Sequence, residues 1–180
     1  MNRWLHIDLH MHSYYSKDYD VSKVKNMSAE EFVSILKSKK IDIFSITDHD
    51  VFSAKYYSDI INAIGDNEMK AIPGAELNIY VEGCGKFQAN FYFSLDTDIN
   101  KLEKAILELY QNGNKPDFSS IIDKFNENEF NFIIFPEADK SGGIDKIISR
   151  LQKNNKLDEV KSLQKNGMQR IYKAYDSKVK

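Results

Sequence analysis

Apolar and polar residues alternate from Trp4 to Met11, the two-residue period of a strand with one buried face. Downstream, Ser28-Ala-Glu-Glu31 reads as a capping box opening an amphipathic helix, with Phe32, Val33, Ile35 and Leu36 as its apolar stripe. A second strand covers Ile41 to Ile46 and ends in Thr-Asp-His-Asp. The pattern then predicts a helix over Ala54–Ile64, stopped by Gly65. A third strand enters at Ala71-Ile72, passes through Pro73-Gly-Ala-Glu76 and continues to Tyr80-Val81, and a fourth covers Phe87–Phe93. Asp98 caps a helix reaching about Tyr110, and Asp117 starts another through Phe125. Phe130 to Phe135 is almost wholly apolar, as expected of a strand buried on both faces. Helices over Gly143–Lys153 and from Lys156 to about Tyr172 complete the pattern, with no internal repeat or low-complexity linker.

Strands alternating with helices predict an α/β domain with a largely parallel sheet under a helical cover. An open doubly wound sheet and a closed barrel both satisfy that alternation. The polar residues favour the barrel, because His10 and His12, Asp48 and His49, and Glu76 end three successive strands, where barrel enzymes collect functional groups. A Gly-rich phosphate loop after the first strand, usual in nucleotide-binding doubly wound folds, is missing.

Bulk properties narrow the setting. A chain of 180 residues, 42% hydrophobic and 29% charged, is expected to form one soluble domain with a sizeable core. A net charge of −2 gives no global electrostatic reason to expect nucleic acid or an anionic membrane as partner. The lone Cys84 cannot form an intramolecular disulfide, which fits a reducing cytoplasm. No signal peptide or bilayer-spanning stretch is expected.

The chemistry is concentrated in His6-Ile-Asp-Leu-His-Met-His12, Thr47-Asp-His49 and Pro73-Gly-Ala-Glu76, which hold all four histidines. Imidazole and carboxylate together are the ligand set of hydrolytic Zn, Mn or Fe sites. Strand alternation puts His6, Asp8, His10 and His12 on one face, so His10 and His12 can converge on one ion. Alone, His-x-His fits a solvated strand face equally well; the second and third segments shift the balance towards a site. Tyr14 and Tyr15 fit either a substrate mouth or ordinary packing.

These segments resemble a family. Asp8-Leu-His-Met-His-Ser13, Ile46-Thr-Asp-His49 and Pro73-Gly-Ala-Glu76 are similar to the first three motifs of the PHP (polymerase and histidinol phosphatase) domain, over roughly residues 4 to 95. The resemblance implies a distorted or partial (β/α)7 barrel that holds up to three metal ions and hydrolyses phosphoesters. It assigns His10 and His12 to a first metal, Glu76 to a bridge between two, and His49 to a third with Asp18 as a candidate partner. Asp8 and Asp48 would orient ligand imidazoles. Residues 1–150 would form the metal-binding domain, and 151–180 a helical tail of it or the start of a continuation. PHP domains often lead longer proteins, including polymerases and AAA-like ATPases.

The later motifs depart from the family. Gln88 stands where a fourth-strand histidine is expected, Phe135 where a His-Pro pair is expected, and no late Asp-x-His exists. Glu137 or Asp139 is a candidate replacement for the missing aspartate. The expectation is therefore one divalent Zn, Mn or Fe ion, three at most, held by His10, His12 and Glu76 as the catalytic set. The function read from this is metal-dependent hydrolysis of a phosphomonoester or phosphodiester, small-molecule or nucleic-acid, by metal-activated water. The alternative is a degenerate module that binds metal or a partner without turnover. Amidohydrolases share His-x-His but need later histidines, and the Lys-rich tail from Lys153 to Lys180 is broken by acids in the manner of a solvated helix face.

Overall fold

The computed structural model describes residues 4–16, 27–66, 68–137 and 143–154, together with Lys156 and Asp158. Six strands and five α-helices follow one another as β1 (Ile7–Met11), α1 (Ala29–Ser38), β2 (Ile43–Ile46), α2 (Ala54–Ile64), β3 (Lys70–Ala71), β4 (Gly74–Val81), β5 (Gly85–Phe93), α3 (Ile99–Tyr110), α4 (Phe118–Glu127), β6 (Phe132–Pro136) and α5 (Ile144–Lys153).

The helix signals in the sequence act as read. Ser28 and Glu31 exchange the two hydrogen bonds of a capping box, and Ser53, Asp98 and Asp117 each accept from backbone N–H groups at the starts of α2, α3 and α4. Gly65 ends α2 at φ 62°, a left-handed backbone that costs glycine little. The predicted helix from Lys156 to Tyr172, and most of the tail 151–180, lie outside the described residues, as does Asp18.

Sheet topology departs from expectation. One half is parallel, in the order β1-β2-β3, and the other is antiparallel, in the order β4-β5-β6. Two features cause the antiparallel half. Between β4 and β5 the chain turns back through Glu82–Cys84, with Gly83 at φ 71° and Gly85 at φ 104°, leaving no room for a crossover helix. Between β5 and β6 there are two helices instead of one, so α4 carries the chain back to the end where β5 stopped. A bridge between His49 and Glu76 joins the halves: the Glu76 N–H donates to the Asp48 carbonyl, and the Asp50 N–H to the Glu76 carbonyl. Among the described residues the result is mixed α/β without a closed barrel, and β1 and β6 are sheet edges that do not pair with each other.

The edges explain two further differences. β6 was expected to be buried on both faces, yet Ile134 is buried while Ile133 and Phe135 are 57% and 42% exposed. It is an edge strand ended by Pro136, which has no N–H for a ladder. β1 is shorter than its alternating pattern, and Trp4, Leu5 and Ile7 lie exposed.

Two apolar clusters support the sheet. The larger packs Ala75, Leu77, Ile79, Phe87, Ala89 and Phe91 against α3, α4 and α5, with Phe125 edge-on to Phe91 and Phe93. The smaller packs Phe44 and Ala71 against α1 and α2 through Phe32, Leu36, Tyr56 and Ile60. Between the two layers, Gly74 is required sterically. A Cβ there would collide with the Ser45 hydroxyl and crowd the Phe91 carbonyl at 3.2 Å. Among the described residues no helix is long and apolar enough to cross a membrane.

Candidate metal centre

Glu76 is the third residue of β4 and does not end a strand as expected, and Asn90 of β5 lies directly opposite it. Alternation sends Ala75, Leu77 and Ile79 into the helix-packed core and turns Glu76 and Asn78 to the other face, with Gln88 and Asn90 beside them. Glu76 is fully buried. Three imidazoles approach the same carboxylate oxygen, Oε2: His10 Nε2 at 3.7 Å, His12 Nε2 at 3.5 Å and His49 Nδ1 at 3.4 Å. His10 and His12 arrive from the end of β1, and His49 from the bridge that docks on Glu76.

Those separations bear on what the cluster can hold. They exceed the roughly 2.7–3.2 Å of an N–H···O hydrogen bond. Donors about 2.1 Å from one tetrahedral cation lie about 3.4 Å apart, so the spacing is that of a coordination edge. Ligand atoms of His10, His12 and Glu76 all lie within 4.8 Å of one another, the arrangement needed to share an ion. The donor set, two neutral nitrogens and one carboxylate, suits a divalent cation without fixing its identity. His49 is not one of that trio. Its ring stacks on His12 with centroids 4.6 Å apart, and its Nδ1 lies 3.1 Å from Gln88 Nε2.

The surrounding contacts fix these side chains. His10 Nδ1 lies 3.1 Å from Asn90 Oδ1 and 3.0 Å from Thr47 Oγ1, which turns its Nε2 towards Glu76. The Asp50 carboxylate accepts from the Asn78 backbone N–H at 2.7 Å and its side-chain amide at 2.6 Å, clamping the His49 segment onto β4. Tyr110 donates to the Asn78 carbonyl at 2.8 Å, and Tyr92 donates to the Leu9 carbonyl at 2.9 Å, tying β5 to β1.

Asp48 and Asp8 differ from their predicted roles. Asp48 orients no imidazole; it accepts from the Ser13 N–H at 2.6 Å and from its hydroxyl at 2.5 Å, pinning the turn after His12. Burial pushes its carboxyl up to about 6, although both Ser13 bonds pull the other way. Asp8, on an exposed stretch, accepts from the His10 backbone N–H. Tyr14 and Tyr15 pack with Tyr56 and belong to the smaller core. His6 is exposed, and its N–H bonds Asp42. The Glu137 N–H donates to the Gln88 carbonyl, and Asp139 lies outside the described residues. Thr47 and Asn90 were missed. Their signal was present for Asn90: Gln88 and Asn90 are polar at alternate positions of an otherwise apolar strand, the mark of one polar face.

No protein-family profile matches the chain, and no curated protein sequence matches it. Among the solved structures that resemble it weakly are two hydrolases. One is an amidohydrolase from Chromobacterium violaceum, solved with sulfate and no metal, at 16% identity and a TM-score of 0.43, with 58% of this chain and 33% of that one covered. The other is a provisionally assigned metal-dependent phosphoesterase from Bifidobacterium adolescentis, at 10% identity and a TM-score of 0.43, with 71% of this chain and 51% of that one covered. The chain thus spans a third and about half of their lengths. Likenesses this weak carry no weight for fold or activity.

Proposed function

We propose that this chain is a metal-dependent phosphoesterase of the PHP kind, built around one divalent cation held by His10, His12 and Glu76. The observation that supports the reading is the convergence of three imidazole nitrogens on one buried carboxylate oxygen at 3.4–3.7 Å. A cation bound there lowers the pKa of a coordinated water and polarises a phosphoryl oxygen. The protein's own share is to keep Glu76 in a dry layer, to aim His10 and His12 from one strand, and to leave the His10 side open to substrate. His10 is 37% exposed, whereas Glu76 is sealed. His49, between Glu76 and Gln88, is placed to hold or pass a proton at the rim.

Gln88 and Phe135 share the face of Glu76, and neither can replace an imidazole as ligand to further ions. Turnover is therefore slow. The test is metal analysis of protein purified without added metal, followed by hydrolysis of p-nitrophenyl phosphate and bis-p-nitrophenyl phosphate with Zn²⁺ or Mn²⁺. One equivalent of metal and metal-dependent hydrolysis, both lost in His10→Ala or His12→Ala, is the expected result. Metal binding without hydrolysis of either ester, even after Gln88→His with Phe135→His, would replace this reading with a binding module.

A further inference from the structure

We infer that Asn90 is a positioning residue that sets the tautomer of His10 and so decides which of its nitrogens faces the cation; this rests on the metal-site reading above. Three observations carry it. His10 Nδ1 has two neighbours within hydrogen-bond range, Asn90 Oδ1 at 3.1 Å and Thr47 Oγ1 at 3.0 Å, while its Nε2 faces Glu76. The two neighbours are not equivalent. A hydroxyl donates or accepts, so Thr47 fits either tautomer, but a carboxamide oxygen only accepts and requires the proton on Nδ1. With the proton there, the Nε2 lone pair is left for a metal beside Glu76, as ligating histidines require.

Asn90 is suited to this by its place. It lies opposite Glu76 in the β4–β5 register and is 7% exposed, so water competes little for the imidazole proton. Its strand is the middle one of the antiparallel half, held by β4 on one side and β6 on the other. The loosely covered end of β1 thus receives its orientation from the central strand of the antiparallel half. Gln88, two residues earlier on the same face, meets His49 through its nitrogen, so the two carboxamides of β5 present opposite polarities to two imidazoles.

The experiment has two arms. In metal-free wild-type protein, imidazole ¹⁵N shifts of His10 should report the Nδ1–H form. In the second arm, Zn²⁺ and Mn²⁺ affinities are measured by competition with a chromophoric chelator for wild type, Asn90→Leu and Asn90→Asp. Asn90→Leu should bind about 10–100-fold more weakly, the usual effect of removing a partner from a ligating histidine, and Asn90→Asp should restore the affinity because a carboxylate is also an acceptor. A merely structural role for Asn90 would change unfolding in metal-free protein and leave the affinity ratio untouched. Wild-type affinity in Asn90→Leu, or a proton found on Nε2 of His10, would overturn the inference. A wild type that binds neither metal would overturn the proposed function instead, and the ¹⁵N shifts would still decide the role of Asn90.

Discussion

The two halves of the sheet divide the labour of the site unequally. The parallel half is thin: β1 has five residues, two of them intermediate in burial and three exposed, and β3 has two residues. The antiparallel half has strands of eight and nine residues, with Leu77, Ile79, Phe87 and Phe91 fully buried beneath α3, α4 and α5. Imidazoles come from the thin half and its extension; the carboxylate and both carboxamides come from the thick one. A cluster that must hold its geometry to a fraction of an ångström is thereby referenced to well-buried strands, and its imidazoles are aligned by contacts reaching out from them.

The comparison breaks first on stability. Phe91→Ala removes a ring that packs edge-on to Phe125 and should cost about 3–5 kcal/mol in urea unfolding. Ile7→Thr on exposed β1 should stay within about 0.5 kcal/mol. Equal losses would show that the thin half carries more of the fold than its burial indicates.

Metal binding tests the next level. Glu76→Gln keeps the shape of the side chain but not its charge or its second acceptor oxygen. Divalent-metal affinity should fall by more than about 100-fold, beyond the loss usual for a partner one shell away. Isothermal titration of the two proteins with Zn²⁺ measures it. Retained stoichiometric binding would mean that the imidazoles alone make the site, and the thick half would lose its central role.

A smaller effect comes from Asp48, which pins the turn after β1. Its carboxyl sits at about 6 in the fold through burial, above the roughly 3.9 of an unfolded chain. The folded state therefore holds the proton more tightly, and this group's contribution is fully present below about pH 4 and lost as pH rises through about 6. In chelator-treated protein the stability of wild type relative to Asp48→Asn should fall across that window, by on the order of 1–3 kcal/mol. A flat difference would mean that the two Ser13 bonds balance burial, and a rising one that they outweigh it.

Local rules explain what was legible. Ser28, Ser53, Asp98 and Asp117 cap the helices they precede, because capping depends on residues within one turn. The spacing of His10 and His12 on one strand face follows from the two-residue period alone, whereas the tight approach of Gly74 to Ser45 and Phe91 is a product of the fold. Gly83 and Gly85 join strands with no helix-length segment between them, a hairpin signal that the barrel expectation took no account of. Strand–helix alternation elsewhere in the chain suggested a parallel barrel.

The sequence by itself determined the described helices, most of the strands and the donor types available to a cation, but it ran β3 and β4 together and put at a strand end Glu76, which is the third residue of β4. Tertiary structure decided the rest. Whether β6 lies inside or at an edge depends on which strands flank it, not on its own apolar run, so Ile133 and Phe135 ended exposed. Likewise, the partners of His10 Nδ1 come from positions 37 and 80 residues away, and a choice of tautomer made across that distance leaves no trace in local pattern. Short-range chemistry is written residue by residue; orientation is set only where strands distant in the chain are brought side by side.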